Sequence, residues 1–148
     1  MNTRRWKSIL AVTLLIGLVG CGGQEGSAEE RALTQQLQAS GATVVQTSDS
    51  AEWPLSGTEQ SIKVNGEAVE VYVYESPQEA NADAAGISPD GRKVKEGVGR
   101  DQVTITVSAA NSPFHFYKKS RLIIVYNGSN SRVINLLQSV LGPQIAGS

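Results

Sequence analysis

Apolar residues recur along this chain with two periods, and the changes between them mark out its elements. Ile62 and Val64 alternate with polar neighbours up to Asn65-Gly66, and Val69, Val71 and Val73 resume the alternation beyond it. Asn-Gly between two period-2 runs predicts a β-hairpin, because a type I′ turn needs positive φ at both central positions. Val103, Ile105 and Val107 alternate with Thr104, Thr106 and Ser108, which predicts a half-buried strand. Leu122-Ile123-Ile124-Val125 is apolar at every position, as expected near the centre of a sheet. Thr43-Val44-Val45-Gln46 is a shorter strand candidate, and Arg92 to Arg100 reads as solvated loop with a ragged edge strand.

Three helices are signalled by their ends as much as by their faces. Ser27 followed by Glu30 matches a capping box, Leu33 and Leu37 share a face, and Gly41 supplies a left-handed stop, so the first helix runs to about Ser40. Ser76-Pro77-Gln78-Glu79 opens the second, with Ser at the N-cap and Pro at the first helical position. Its alanines, Ala80, Ala82, Ala84 and Ala85, suit close approach to a sheet, and it ends near Gly86. The third starts near Ser129, buries Val133, Ile134, Leu137, Val140 and Leu141, and stops at Gly142-Pro143. Between elements, Thr47 to Gly57 is loop from which Trp53 folds back onto the core, and Ser88-Pro89-Asp90-Gly91 is a type I turn.

A strand ending Val71-Tyr72-Val73-Tyr74 leads into a capped helix, and so does one ending Ile123-Ile124-Val125-Tyr126. The pattern predicts an α+β fold: a mainly antiparallel sheet of four to five strands with about three helices packed on one face, organised as two ββα units. The length of 148 residues suits one domain.

The first 21 residues follow a different grammar. Arg4, Arg5 and Lys7 precede an apolar run from Ile9 to Val19, which ends at Gly20 and the only cysteine, Cys21. That is the order of a secretory signal. As a helix the run spans roughly 17 Å, against a hydrocarbon core of ~30 Å, too short for a comfortable membrane span. Arg4-Arg5 hints at twin-arginine export, but Trp6-Lys7-Ser8 follows where that signal has Phe-Leu, so general secretion is preferred.

Leu18-Val19-Gly20-Cys21 resembles the lipobox of bacterial lipoproteins. The resemblance implies that the Cys21 sulfur takes a diacylglyceryl group and that the Gly20–Cys21 bond is then cut. Residues 1–20 are accordingly expected to be a signal peptide, 21–28 a lipidated cysteine with a Gly-rich tether, and 29–144 a single α+β domain. More than one acyl chain gives stable attachment where one is marginal. The implied place is the bacterial cell membrane or envelope, facing outside the cytoplasm. The carboxyl-terminal half also looks like small uncharacterised bacterial lipoproteins with an aromatic loop, an Arg-Leu-Ile strand and a Leu-Gly-Pro helix end, a resemblance that brings no activity with it.

Charge narrows the function. Removing the three basic residues before Cys21 from the chain's thirteen leaves ten against fourteen acidic ones, a net charge of −4. Nucleic acid is not an expected partner, since its binders present basic surfaces. One His and one Cys offer no metal cluster, and no cofactor is expected. Asn127-Gly128-Ser129 fits a glycosylation sequon but reads as a turn.

Two candidate surfaces for a protein or small-molecule partner remain. One is the segment Phe114, His115, Phe116, Tyr117 and Lys118, read as a loop with aromatic anchors and a basic rim of Lys118, Lys119 and Arg121, suited to a partner or to anionic headgroups. The other is the sheet face carrying Glu70, Tyr72 and Tyr74. In both cases the competing expectation is that the rings pack in the core. The function expected is a non-catalytic, membrane-anchored binding or envelope-associated module. The alternatives are a small hydrolase using His115 with hydroxyls from Ser108 to Ser112, and an accessory subunit of a membrane complex.

Overall fold

A computed structural model of the chain describes residues 27–51, 53–96, 103–107 and 112–147. Leu18 to Cys21, and nearly all of the segment expected to be signal peptide and tether, lie outside these. The order of elements is α1 (Ala28–Ala39), β1 (Val44–Thr47), β2 (Thr58–Val64), β3 (Glu67–Val73), α2 (Pro77–Gly86), β4 (Lys93–Glu96), β5 (Val103–Thr106), β6 (Phe114–Lys119), β7 (Leu122–Asn127), α3 (Ser131–Leu141) and β8 (Ala146–Gly147). The fold is α+β. Six strands form one antiparallel sheet in the order β1-β2-β3-β7-β6-β8, and β4 and β5 form a separate two-stranded sheet.

Local chemistry sets the element ends. Ser27 Oγ accepts from the Glu30 amide at 3.2 Å, and Gly41 at φ +88 closes α1, its amide donating to Gln38 O and that of Ala42 to Leu37 O. These two bonds make a Schellman stop. Asn65 (φ 53) and Gly66 (φ 88) form the positive-φ turn between β2 and β3, and the Asn65 side chain accepts from the Thr43 amide, fixing where β1 begins. Ser76 caps α2 through the Glu79 amide, and Asn130 caps α3 through the Arg132 amide.

The sheet is covered on both faces, not one. On the first face, α1 and α3 lay Leu33, Leu37, Val133, Leu137 and Leu141 over Ile62, Val64, Val69, Val71, Tyr117, Leu122, Ile124 and Tyr126. The second face carries Tyr72, Tyr74, Phe114, Phe116, Ile123 and Val125, covered by Trp53, Leu55, Ala80 of α2, Ile87 and Val94. The physical reason is the apolar content of the strands: β7 is buried at five successive positions, so neither of its faces can be left in water.

Two further expectations change for the same reason. The aromatic segment from Phe114 is strand β6 rather than a loop, and with β1 and β8 it brings the main sheet to six strands instead of four or five. The connectivity does repeat as β2–β3–α2 and β6–β7–α3, with β3 beside β7. A two-fold relating these antiparallel units would put both helices on one face, whereas α2 lies opposite α3, so the repeat is one of order and not of packing. Within α2 only Ala80 is fully buried, with Ala84 beside it, while Ala82 and Ala85 face outward. The folded body also runs past residue 144, because Ala146 and Gly147 pair with Phe116 and His115.

The segment 93–106 holds a further difference. Val103 and Ile105 pair with Glu96 and Val94 rather than joining the main sheet, and Val103 is exposed. Val94 is the residue of this small sheet buried in the second core, with Val107 just beyond β5 packed against it, and residues 97–102, its connecting segment, lie outside the described residues.

Candidate functional site

The aromatic residues singled out in the sequence are interior. Tyr72, Tyr74, Phe114, His115, Phe116 and Tyr117 are all buried, and Lys118 is half-buried. Neither candidate surface is a surface. Trp53 stands edge-on to Phe114 and Phe116, with centroids 4.7 and 5.4 Å apart, and closes the second core over them. Burial pushes the Tyr72 and Tyr74 phenols well above the ordinary tyrosine range, and the adjacent Asp83 adds to the effect at Tyr74. These rings are packing, the outcome that strand tyrosines favour when a second layer covers them.

His115 serves as a tie. Its Nε2 lies 3.0 Å from Gly128 O and its Nδ1 2.9 Å from the Gln144 side-chain amide, and its ring stacks on Tyr126. In the neutral ring Nε2–H donates to the carbonyl and Nδ1 accepts from the amide, whose O and N interchange by rotation. Both nitrogens are engaged, so neither is available to take a proton from a hydroxyl. Ser108, from the proposed hydroxyl loop, lies outside the described residues, and Ser112 is exposed.

Two of the three residues of the basic rim, Lys119 and Arg121, are likewise committed to structure. Lys119 Nζ donates to Gln36 Oε1 and Val140 O, joining α1 to the end of α3. Arg121 Nε meets Glu29 Oε2 at 2.7 Å and its Nη1 donates to Glu75 O, while Ser120 donates to Glu29 Oε1. The first turn of α1 is thereby fastened to the turn between β6 and β7.

A polar cleft of about 450 Å³ lies at the other margin of the sheet, lined by Gln46, Thr47, Ser48, Ser50, Glu59, Gln60 and Ser61. It exists because β1 stops early. Pairing between β1 and β2 ends at Thr47 opposite Ser61, while β2 continues against β3 to Thr58 opposite Val73. The chain then leaves the sheet and crosses the second face. Asp49 pairs with Lys63 at 3.0 Å, and Ser50 Oγ donates to Glu59 Oε1 at 2.6 Å.

Behind the cleft, strand alternation puts Ser61 and Glu59 on the second face opposite Glu70 and Tyr72 of β3. Ser61 Oγ donates to Glu70 Oε2, and the Trp53 amide donates to the Tyr72 hydroxyl at 3.0 Å. Glu70 is buried. Loss of water raises its pKa above the ordinary carboxylate range, the Ser61 hydrogen bond opposes this, and the Glu59 charge adds to it. On the near side, Gln46 Nε2 reaches Glu30 Oε1 at 3.4 Å. Among the described residues the arrangement is a hydroxyl- and amide-lined slot with the Glu59 carboxylate at its rim and Glu70 beneath it.

Of these residues only Glu70 and Tyr72 belong to a surface marked out in the sequence, and none that lines the cleft does. The available signal was Glu70, a carboxylate between valines on a strand whose neighbouring odd and even positions both belong to cores. Among the described residues no group of three or more His, Cys, Asp and Glu is placed to hold a metal ion, and no helix is long and apolar enough to cross a membrane. No protein-family model, curated protein or solved structure matches the chain.

Proposed function

We propose that the chain is a lipid-anchored bacterial lipoprotein whose α+β body acts outside the cytoplasm as a non-catalytic binding module, with the cleft between β1 and β2 as its ligand site. The anchoring half of this reading rests on the lipobox Leu18-Val19-Gly20-Cys21. The binding half rests on one observation: the cleft is the place where strand edge, hydroxyls, amides and a carboxylate meet in the open, while the aromatic candidates serve the core. A hydrolase using His115 is disfavoured by the engagement of both its ring nitrogens.

Anchor and cleft are compatible in space. The tether joins the body at the first turn of α1, which is fastened to the β6–β7 turn through Glu29 and Arg121. Leu122 follows that turn and pairs with Val73, and Val73 pairs with Thr58, the first residue of β2. The tethered end and the open end of β2 therefore lie at the same end of the sheet, and a ligand in the cleft is held close to the bilayer. The six residues between Cys21 and Ala28 (Gly22 to Ser27) reach at most ~20 Å.

The anchoring is tested by Cys21→Ser. Metabolic labelling with a radiolabelled fatty acid should be abolished, and the variant should move from the membrane pellet to the soluble fraction. Retention of Cys21→Ser in the membrane fraction with its apolar segment uncut would overturn the lipoprotein reading.

A further inference from the structure

We infer that the cleft takes an extended peptide segment, added as a short strand to the open edge of β2, with a lysine or arginine side chain placed beside Glu59. This deepens the binding half of the reading above and rests on it.

The argument begins with the two-residue turn at Asn65-Gly66. In such a hairpin the flanking residues, Val64 and Glu67, exchange both backbone hydrogen bonds, and bonded pairs then recur at every second position. Val64, Ile62, Gln60 and Thr58 accordingly spend their backbone groups on β3, through Glu67, Val69, Val71 and Val73. Lys63, Ser61 and Glu59 turn theirs toward β1. The Asn65 amide, donating to Thr43 O at 2.8 Å, has the same parity. Lys63 and Ser61 find Val45 and Thr47 opposite them. The next position opposite Glu59 falls to Asp49, which has left the strand and faces Lys63 instead.

Glu59, which lines the cleft, therefore turns its N–H and C=O toward the line that β1 abandons, with its carboxylate, which accepts from Ser50 Oγ, on the second face beside them. Among the described residues no strand pairs with it on this side. A segment laid along the line that β1 abandons would exchange two main-chain bonds with Glu59, which is how added strands gain affinity. Its side chain directly opposite Glu59 would sit about 5.5 Å away between Cα atoms, within reach of the carboxylate. Charge selects what that side chain is. Among the described residues no lysine or arginine lines the cleft, Glu59 is at its rim, and the only cation on this stretch of β2, Lys63, is already paired with Asp49. An acidic residue would meet Glu59 with Glu70 behind it, whereas a cationic one is complementary to both.

The test uses the mature chain from residue 21 carrying Cys21→Ser, and three capped pentapeptides, Thr-Val-Lys-Val-Thr, the same with Glu for Lys, and the same with an N-methyl on the Lys nitrogen. Binding is followed through backbone amide shifts. The Lys peptide should shift the amides of Glu59 and Thr47 and bind about tenfold more tightly than the other two, and Glu59→Gln should bring the Lys and Glu peptides within about twofold of one another. Equal binding of the N-methyl peptide would overturn strand addition, and equal binding of the Glu peptide would overturn the charge preference, although either result with shifts in the cleft keeps the cleft as a binding site. Absence of any shift in the cleft up to about 5 mM of all three peptides, or shifts confined to another surface, would overturn the inference. If a mixture of neutral sugars then shifts the cleft amides, the binding-site reading survives without it; if nothing shifts them, both fail.

Discussion

The two faces of the main sheet are built to different rules. The first is mainly apolar, with the buried Glu30 of α1 and its partner Gln46 at its margin: two helices, each presenting a narrow stripe of leucine and valine, lie on valine, isoleucine and tyrosine. The second is a mosaic of one alanine-faced helix, a loop carrying Trp53 and a two-stranded sheet touching through Val94. Hydroxyls and carboxylates stitch it together. Asp83 takes hydrogen bonds from Tyr74 Oη, Ser56 N and Ser56 Oγ, Glu59 takes one from Ser50 Oγ, and the Tyr72 hydroxyl takes one from the Trp53 amide. A helix that buries a stripe forms and melts with the core, whereas a loop held by side-chain hydrogen bonds worth about 1 kcal/mol each can give way alone. The first face supplies stability, and the second supplies a wall that can adapt around a ligand.

The comparison is broken most forcefully by truncating one anchor on each side. Leu37→Ala on α1 removes a fully buried side chain wedged between α3 and the sheet and should cost about 4 kcal/mol of global stability in urea unfolding. Trp53→Ala removes a larger side chain, yet its loop can collapse into the space, and the cost should be nearer about 3 kcal/mol. A Trp53→Ala loss clearly larger than that of Leu37→Ala would show that the second cover carries the fold.

Glu70 sharpens the contrast at smaller scale. Its pKa in the folded protein is raised above the unfolded value, so its contribution favours folding at acid pH and is lost as the pH climbs through the raised value. Glu70→Gln keeps the shape and removes the charge. It should stabilise the protein near neutral pH by on the order of 1 kcal/mol, with the gain shrinking as the pH falls into the ordinary carboxylate range. A stability difference that does not change with pH would mean that Glu70 keeps its charge at no cost.

Much of the fold was legible in the sequence, because its signals are local. Ser27 and Glu30, Asn65-Gly66, Ser76-Pro77 and Gly142 fix backbone hydrogen bonds within a few residues, and the structure uses each for the expected element end. What was not legible depends on which layer lies over a strand. Tyr72 and Tyr74 alternate with valines whether their face meets water or a second core, and alternation alone cannot decide. Phe114 to Lys119 is strand rather than loop because Phe114 and Phe116 face one core while Tyr117 faces the other. The cleft was invisible for a further reason, since it is made by a strand that ends one pair too soon. Nothing in Thr47-Ser48-Asp49-Ser50 tells where its neighbour across the sheet will stop.

The most direct measurement is residue-resolved hydrogen exchange under mildly destabilising conditions. The amides of Val71 and Ile124, inside the sheet beneath the first face, should exchange only through global unfolding. The Trp53 amide, bonded to the Tyr72 hydroxyl, and the Leu55 amide, bonded to Trp53 O, should exchange through a local opening that needs less free energy and little denaturant dependence. Coincident opening energies and denaturant slopes for both groups would contradict the account, showing that the wall of the cleft moves only when the whole body unfolds.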